Sequence, residues 1–207
     1  MTSTPSSRTG PNRAEWGVAI FTFVYVAGFT LWFIAIGNYE FIVYVLTMLG
    51  LIALVALSLR SAAYPPEMLW ALSVWGLAHM AGGGVPLGDS VLYNLHLLPI
   101  VVTEHIFILK YDQLVHAYGF GITAWLLWHL LVRHYPATRG TATASVYPVL
   151  GAMGLGGLNE MIEFSAVLLV PDTNVGGYYN TALDLVFNTT GALLAMLLLN
   201  LDSRRAV

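Results

Sequence analysis

The sequence predicts an all-α fold, a polytopic membrane helical bundle of six transmembrane helices with both termini cytoplasmic. Composition is the first reason. Of 207 residues, 57% are hydrophobic and 9% are charged, whereas soluble domains run about 45–50% apolar and about 25% charged. Nineteen charged side chains, 8 basic and 11 acidic, cannot cover a soluble core of this size, and the mean hydropathy is +0.73. The second reason is six apolar stretches, which at about 20 residues each nearly exhaust the chain. The third is the placement of basic residues. Six crossings from a cytoplasmic N-terminus put Arg8, Arg13, Arg60, Arg133, Arg139, Arg204 and Arg205 inside and Lys110 outside, as the positive-inside rule expects.

Residues 1–13 are rich in Ser, Thr and Pro and read as a disordered tail; residues 14–203 read as one six-helix transmembrane domain. The first span covers 15–36 and, with no small-residue cleavage site behind it, is a retained helix. Gly37-Asn38 turns the chain into the second span, 39–59, which Arg60 and Pro65-Pro66 close. The third, 67–81, is expected to break at Gly82-Gly83-Gly84. Residues 91–102 are apolar but too few to cross, and His96 and Pro99 interrupt them, so an interfacial or re-entrant segment is expected. The remaining spans are 111–132, 146–170 and 180–201. Trp16, Tyr111, Trp128, Tyr178 and Tyr179 fall near span ends, where aromatic rings anchor at the interface.

Several chemistries are excluded. The basic residues are few and scattered, which removes nucleic acid as a partner. With no Cys there is no disulfide, thiolate metal site or Cys nucleophile. No G-x-S-x-G, H-E-x-x-H or phosphate-cradling loop followed by Lys-Ser/Thr occurs.

Ionisable groups inside hydrocarbon are costly, and each one needs a reason. The spans carry His79, then Asp112 and His116, then Asn159, Glu160 and Glu163, then Asp184 and Asn188. A rise of about 1.5 Å per residue puts His79, His116, Glu160, Glu163, Asp184 and Asn188 about 6–12 Å below the outer edge of the hydrocarbon. Asp112/His116 and Asp184/Asn188 are i,i+4 pairs and Glu160/Glu163 an i,i+3 pair, so each pair shares a helix face. Gly154, Gly156 and Gly157 precede the glutamates and allow close helix approach. Asp112, His116, Glu160, Glu163 and Asp184 offer the oxygen and nitrogen ligands a divalent metal ion takes, with His79, Asn159 and Asn188 as a substrate-facing or polar network. A lock of hydrogen bonds across the bundle is the competing account. His96 and His105 are expected in solvent, and His129 and His134 at headgroups beside Arg133.

At these residues the chain resembles a known group. The runs L-A-H-M-A-G-G-G (Leu77 to Gly84), Y-D-Q-L-V-H (Tyr111 to His116), L-N-E-M-I-E (Leu158 to Glu163) and N-T-A-L-D-L-V-F-N-T-T-G-A (Asn180 to Ala192) are similar in order and spacing to the YjdF-like family of bacterial inner-membrane proteins. More distantly they resemble VanZ-like proteins. The resemblance implies a multi-pass fold in the inner membrane carrying these polar motifs, and it brings no reaction. Gly83-Gly84 departs from the more aromatic continuation expected there.

Three readings remain open: a metal-dependent enzyme acting on a lipid or lipid-linked substrate, a proton- or cation-coupled transporter, and a non-catalytic scaffold or assembly factor. Membrane lipids are partners in each. A transporter also needs polar groups in the inner half of the spans, which the sequence scarcely supplies.

Overall fold

In a computed structural model the described residues are 10–104, 106–170, 173 and 176–205, with side chains described to Leu201. Residues 1–9 of the expected tail and His105 lie outside them. Six long helices form in chain order: α1 (Arg13–Ile36), α2 (Tyr39–Ala62), α3 (Pro66–Gly84), α4 (Tyr111–His134), α5 (Ala142–Leu169) and α6 (Tyr178–Arg205). Five are long and apolar enough to cross a membrane. The sixth, α3, has 19 residues, and Glu67, Ser73, His79 and its glycines dilute its hydropathy.

Local signals set the helix ends. Asn12 and Glu15 form a reciprocal capping box at the start of α1, Glu15 N donating to Asn12 Oδ1 at 2.9 Å and Asn12 N to Glu15 Oε2 at 2.6 Å. Gly37, at φ +68°, ends α1 in the left-handed conformation that glycine alone adopts freely. Asn38 then caps α2, and Thr141 caps α5 through Ala144 N.

Between α3 and α4 the chain does more than the expected interfacial or re-entrant segment required. It forms two antiparallel hairpins, β1 (Pro86–Leu87) with β2 (Ser90–Val91) and β3 (His96–Val102) with β4 (Phe107–Lys110). The run Ile100-Val101-Val102 is β-branched and reads as strand once a partner strand is available. His96 stacks on Phe107 with ring centroids 3.7 Å apart.

Helix α3 ends at Gly84, three residues beyond the expected end of the span at 81. The helix runs through all three, which are buried. A Cβ would lie 2.3 Å from Tyr93 Cε1 at Gly82, 1.7 Å from Phe41 Cζ at Gly83 and 2.6 Å from Phe29 Cδ1 at Gly84. The triplet is therefore a packing face against aromatic rings, anchored where Trp32 Nε1 donates to Gly84 O at 2.8 Å.

Helices α4, α5 and α6 pack as one half of the bundle, and α1 with α3 forms the centre of the other. The crossing of α4 and α6 is tight: a Cβ on Gly191 would sit 1.8 Å from Ala117 O. Of the three glycines before Glu160, Gly156 makes the close approach: a Cβ there would lie 2.8 Å from Asn188 Nδ2, whereas one on Gly154 or Gly157 would meet nothing within 4 Å. At the far end from the hairpins, His129 Nε2 lies 2.9 Å from Ala62 O and Arg133 Nε donates to Ser61 O at 2.8 Å. His129 thus caps α2, contrary to the expected headgroup position, because α4 descends beside the free carbonyls of that helix end. His134 is exposed. Trp16, Tyr178 and Tyr179 are exposed. Trp128 packs on the core of α4, α5 and α6, and the Tyr111 hydroxyl donates to Ala78 O at 3.1 Å.

Candidate functional site

The polar residues of the spans meet at the hairpin end of the bundle, because α3 and α5 end there while α2, α4 and α6 begin there. His116, buried on α4, is the hub. Its Nδ1 lies 2.9 Å from Asn188 Oδ1 and 3.9 Å from Glu160 Oε1, and its Nε2 lies 3.5 Å from Asp112 Oδ1. Because Asn188 Oδ1 can only accept, Nδ1 donates to it, and Nε2 faces Asp112. Gly156 leaves room for the Asn188 amide against α5.

The two aspartates are held by one amide. Asn180 Nδ2 donates to Asp184 Oδ2 at 2.6 Å and to Asp112 Oδ2 at 3.3 Å. Lys110 Nζ donates to Asn180 Oδ1 at 3.1 Å. Asp112, His116 and Asp184 each place a ligand atom within 4.8 Å of the other two, and so do His116, Glu160 and Glu163. Both Glu160 oxygens, Asp184 Oδ1 and Asn188 Nδ2 are buried with no hydrogen-bond partner among the described residues. Such groups are expensive to leave unsatisfied. Glu163 accepts from Asn159 Nδ2 at 2.7 Å, so the i,i+4 amide orients this carboxylate.

Above the cluster lies a cavity of about 510 Å³. Glu40, Tyr44, His79, Tyr93, Asp112 and Glu163 are among the residues lining it, and Lys110 and Asn180 stand at its wall. The Tyr93 hydroxyl donates to His79 O at 3.0 Å and also meets His79 Nδ1. Burial pushes the Tyr93 phenol well above its usual range, helped by the negative charge of Asp112, so it stays a donor. His79 therefore sits beside the carboxylates without joining their ligand sets.

All eight site residues read from the sequence fall in this region. Glu40, Tyr93, Lys110 and Asn180 are additional members. Glu40 is 3% exposed, yet in sequence it resembles any acid in the first turn of a helix. Tyr93 belongs to an apolar run that only the turn between the hairpins brings over α3.

A family model described as "Predicted membrane protein (DUF2238)" matches residues 17–205. The chain belongs to this family. YjdF is a member, in agreement with the resemblance drawn from the four motifs. No curated protein and no solved structure matches the chain. The DUF2238 protein is thus a multi-helix membrane protein whose most polar interior region lies at the hairpin end of its bundle.

Proposed function

We propose that the DUF2238 protein is a metal-dependent enzyme of the inner membrane that acts on the polar head of a lipid or lipid-linked substrate. The observation that carries this reading is the convergence of Asp112, His116 and Asp184, each with a ligand atom within 4.8 Å of the other two and each held by a neighbouring amide. Asn180 holds Oδ2 of both aspartates, and Asn188 holds Nδ1 of His116. Metal-binding histidines and carboxylates are characteristically oriented in this way. A divalent cation there would also offset carboxylates that otherwise repel one another in low dielectric. When bound, it would polarise a phosphoryl or carbonyl oxygen. Glu160, buried beside His116 with neither oxygen hydrogen-bonded, is placed to take a proton from water or a hydroxyl. Glu163, Lys110 and Tyr93 line the space above, where a polar head would be gripped.

The other half of the same helices argues against a transport route. Ala124, Val149, Ala152, Ala192 and Met196 form a buried apolar core between α4, α5 and α6. The seven-to-one split of basic residues supports a reading in which the hairpin end, and the site with it, faces the extracytoplasmic side and both termini the cytoplasm. Metal analysis of the purified protein tests the proposal. About one divalent ion per chain is expected in wild type and in Glu160→Gln, with loss in Asp184→Asn. A metal-free wild type whose unfolding temperature ignores both EDTA and added divalent ions would overturn it.

A further inference from the structure

A second cavity, of about 400 Å³, runs between α1, α2 and α3. Its walls are apolar: Val18, Met48, Ile52, Val55 and Leu72 represent them, and Ala19, Ala56 and Gly76 give it width. Thr22 pairs with Ser73 at 2.6 Å and Thr47 with the Val43 carbonyl at 3.3 Å, and the hydroxyl with no partner among the described residues, that of Tyr44, lies at the end shared with the polar site. It therefore offers a polar or peptide partner little to bond and suits hydrocarbon. Along α2 it extends from Tyr44 to Leu59, about 22 Å at the helical rise and longer than one leaflet's share of the hydrocarbon core, about 15 Å.

The groove is continuous with the polar site. Tyr44 and His79 line both cavities, and Asn159, which orients Glu163, lines the groove as well. We infer that the substrate is a phospholipid, with one acyl chain in the α1–α2–α3 groove and the phosphate in the hairpin-end cavity. This inference rests on the metal-site reading, because it places the phosphate at the cation. Lys110 reaches into that cavity and the other described basic side chains, Arg13, Arg60, Arg133 and Arg139, belong to the opposite end, but Glu40, Glu104, Asp112 and Glu163 line the cavity too, so the phosphate depends on the cation to offset them. Within a bilayer an acyl chain gains little by leaving lipid for an apolar groove. The groove's contribution is to continue the hydrocarbon up to the cluster, so that the head reaches the carboxylates without the chain entering polar surroundings.

The full-length protein in nanodiscs, loaded with a phosphatidylglycerol bearing a diazirine at the end of one acyl chain, tests the inference. Irradiation followed by peptide mass spectrometry should place the label on groove residues such as Met48, Ile52 and Val55. Ala56→Trp, and independently Ala19→Trp from the facing wall, should reduce this labelling to that of the lipid-facing surface. Leu57→Trp, at a position 85% exposed to lipid, should leave it unchanged. Labelling spread evenly over the exposed faces, or unaffected by both plugging variants, overturns the inference. So does preferential labelling by an isoprenyl phosphate of the same design, or a second protein cross-linked in the groove. Metal content measured on the same samples separates the two proposals. A retained ion with no groove labelling removes the lipid assignment alone. Groove labelling in a metal-free protein removes the cation, and with it the placement of the phosphate.

Discussion

Gly191→Ala should disrupt the site through the helix crossing beneath it. The added Cβ would lie 1.8 Å from Ala117 O, 2.6 Å from its carbonyl carbon and 2.8 Å from its Cα. This is backbone, so no side chain can swing aside. To bring the 1.8 Å approach out to the 3.4 Å of ordinary contact, α4 and α6 must part by about 1.6 Å. Ala117 directly follows His116, and Asn188 lies one turn before Gly191. If the separation is carried through in full, the 2.9 Å His116–Asn188 contact opens to about 4.5 Å, beyond hydrogen bonding. Overpacking costs about 1–3 kcal/mol, and stranding a buried partner costs about 1–3 kcal/mol more, so a loss of about 2–6 kcal/mol is expected. Gly154→Ala is the matched control, because nothing lies within 4 Å of its Cβ, and alanine improves helix propensity by up to about 1 kcal/mol. Thermal unfolding of both variants in the same detergent reads the difference, and a divalent-ion titration shows whether the site follows. Equal unfolding temperatures for the two variants would refute the crossing as the constraint on the site.

Other outcomes follow from individual contacts. Asn180→Ala removes the amide shared by Asp112 and Asp184, and divalent-ion affinity should fall about 10–100-fold in a competition titration against a fluorescent chelator; unchanged affinity would exclude Asn180 as an orienting group. Tyr93→Phe deletes the hydroxyl that meets His79. Because that phenol sits far above its usual range and stays protonated in both states, the loss of thermal stability should be the same at about pH 6 and about pH 9. A loss confined to one pH would show that the hydroxyl titrates. Reporter fusions after Arg60 and Arg139 should give cytoplasmic signals and one at Asp89 the opposite; a cytoplasmic Asp89 would invert the orientation.

The helices were legible in the sequence because their apolar stretches are long and their ends carry strong signals, as at Asn12, Gly37-Asn38 and Thr141. The convergence of Asp112, His116, Glu160, Asp184 and Asn188 was legible for a related reason. Polar side chains in hydrocarbon must find one another, and helical rise alone fixes their depth. The segment after α3 was not legible. Its residues are apolar whichever structure they adopt, and strand pairing between His96–Val102 and Phe107–Lys110 depends on a partner that no local pattern announces. The packing role of the glycine triplet, at whose last residue α3 ends, was hidden for a similar reason. Glycine marks a helix end where it takes a left-handed conformation, as Gly37 does, but it also sits where a ring crosses the backbone. Only the positions of Tyr93, Phe41 and Phe29 distinguish the two.

The strongest discrimination between a cation site and a polar lock comes from charge. Asp112, Glu160, Glu163 and Asp184 surround one histidine, and Lys110 reaches them through Asn180 rather than by direct contact. If a divalent ion supplies the missing positive charge, Glu160→Gln and Asp184→Asn act on one unit. Asp184→Asn removes a ligand and should abolish the rise in unfolding temperature that the added ion gives wild type. Glu160→Gln should keep that rise and lose activity, and the double variant should be no worse in either property than its more damaged parent. If the cluster is only a lock, removing a carboxylate relieves repulsion while the amide still hydrogen-bonds. Each single variant should then be as stable as wild type or more so, the double variant more stable again, and all indifferent to EDTA. Unfolding temperatures of the four proteins, with EDTA and with added divalent ions, therefore give opposite signs for the two accounts. Stabilisation by Asp184→Asn in the presence of divalent ions is the result that would eliminate the cation.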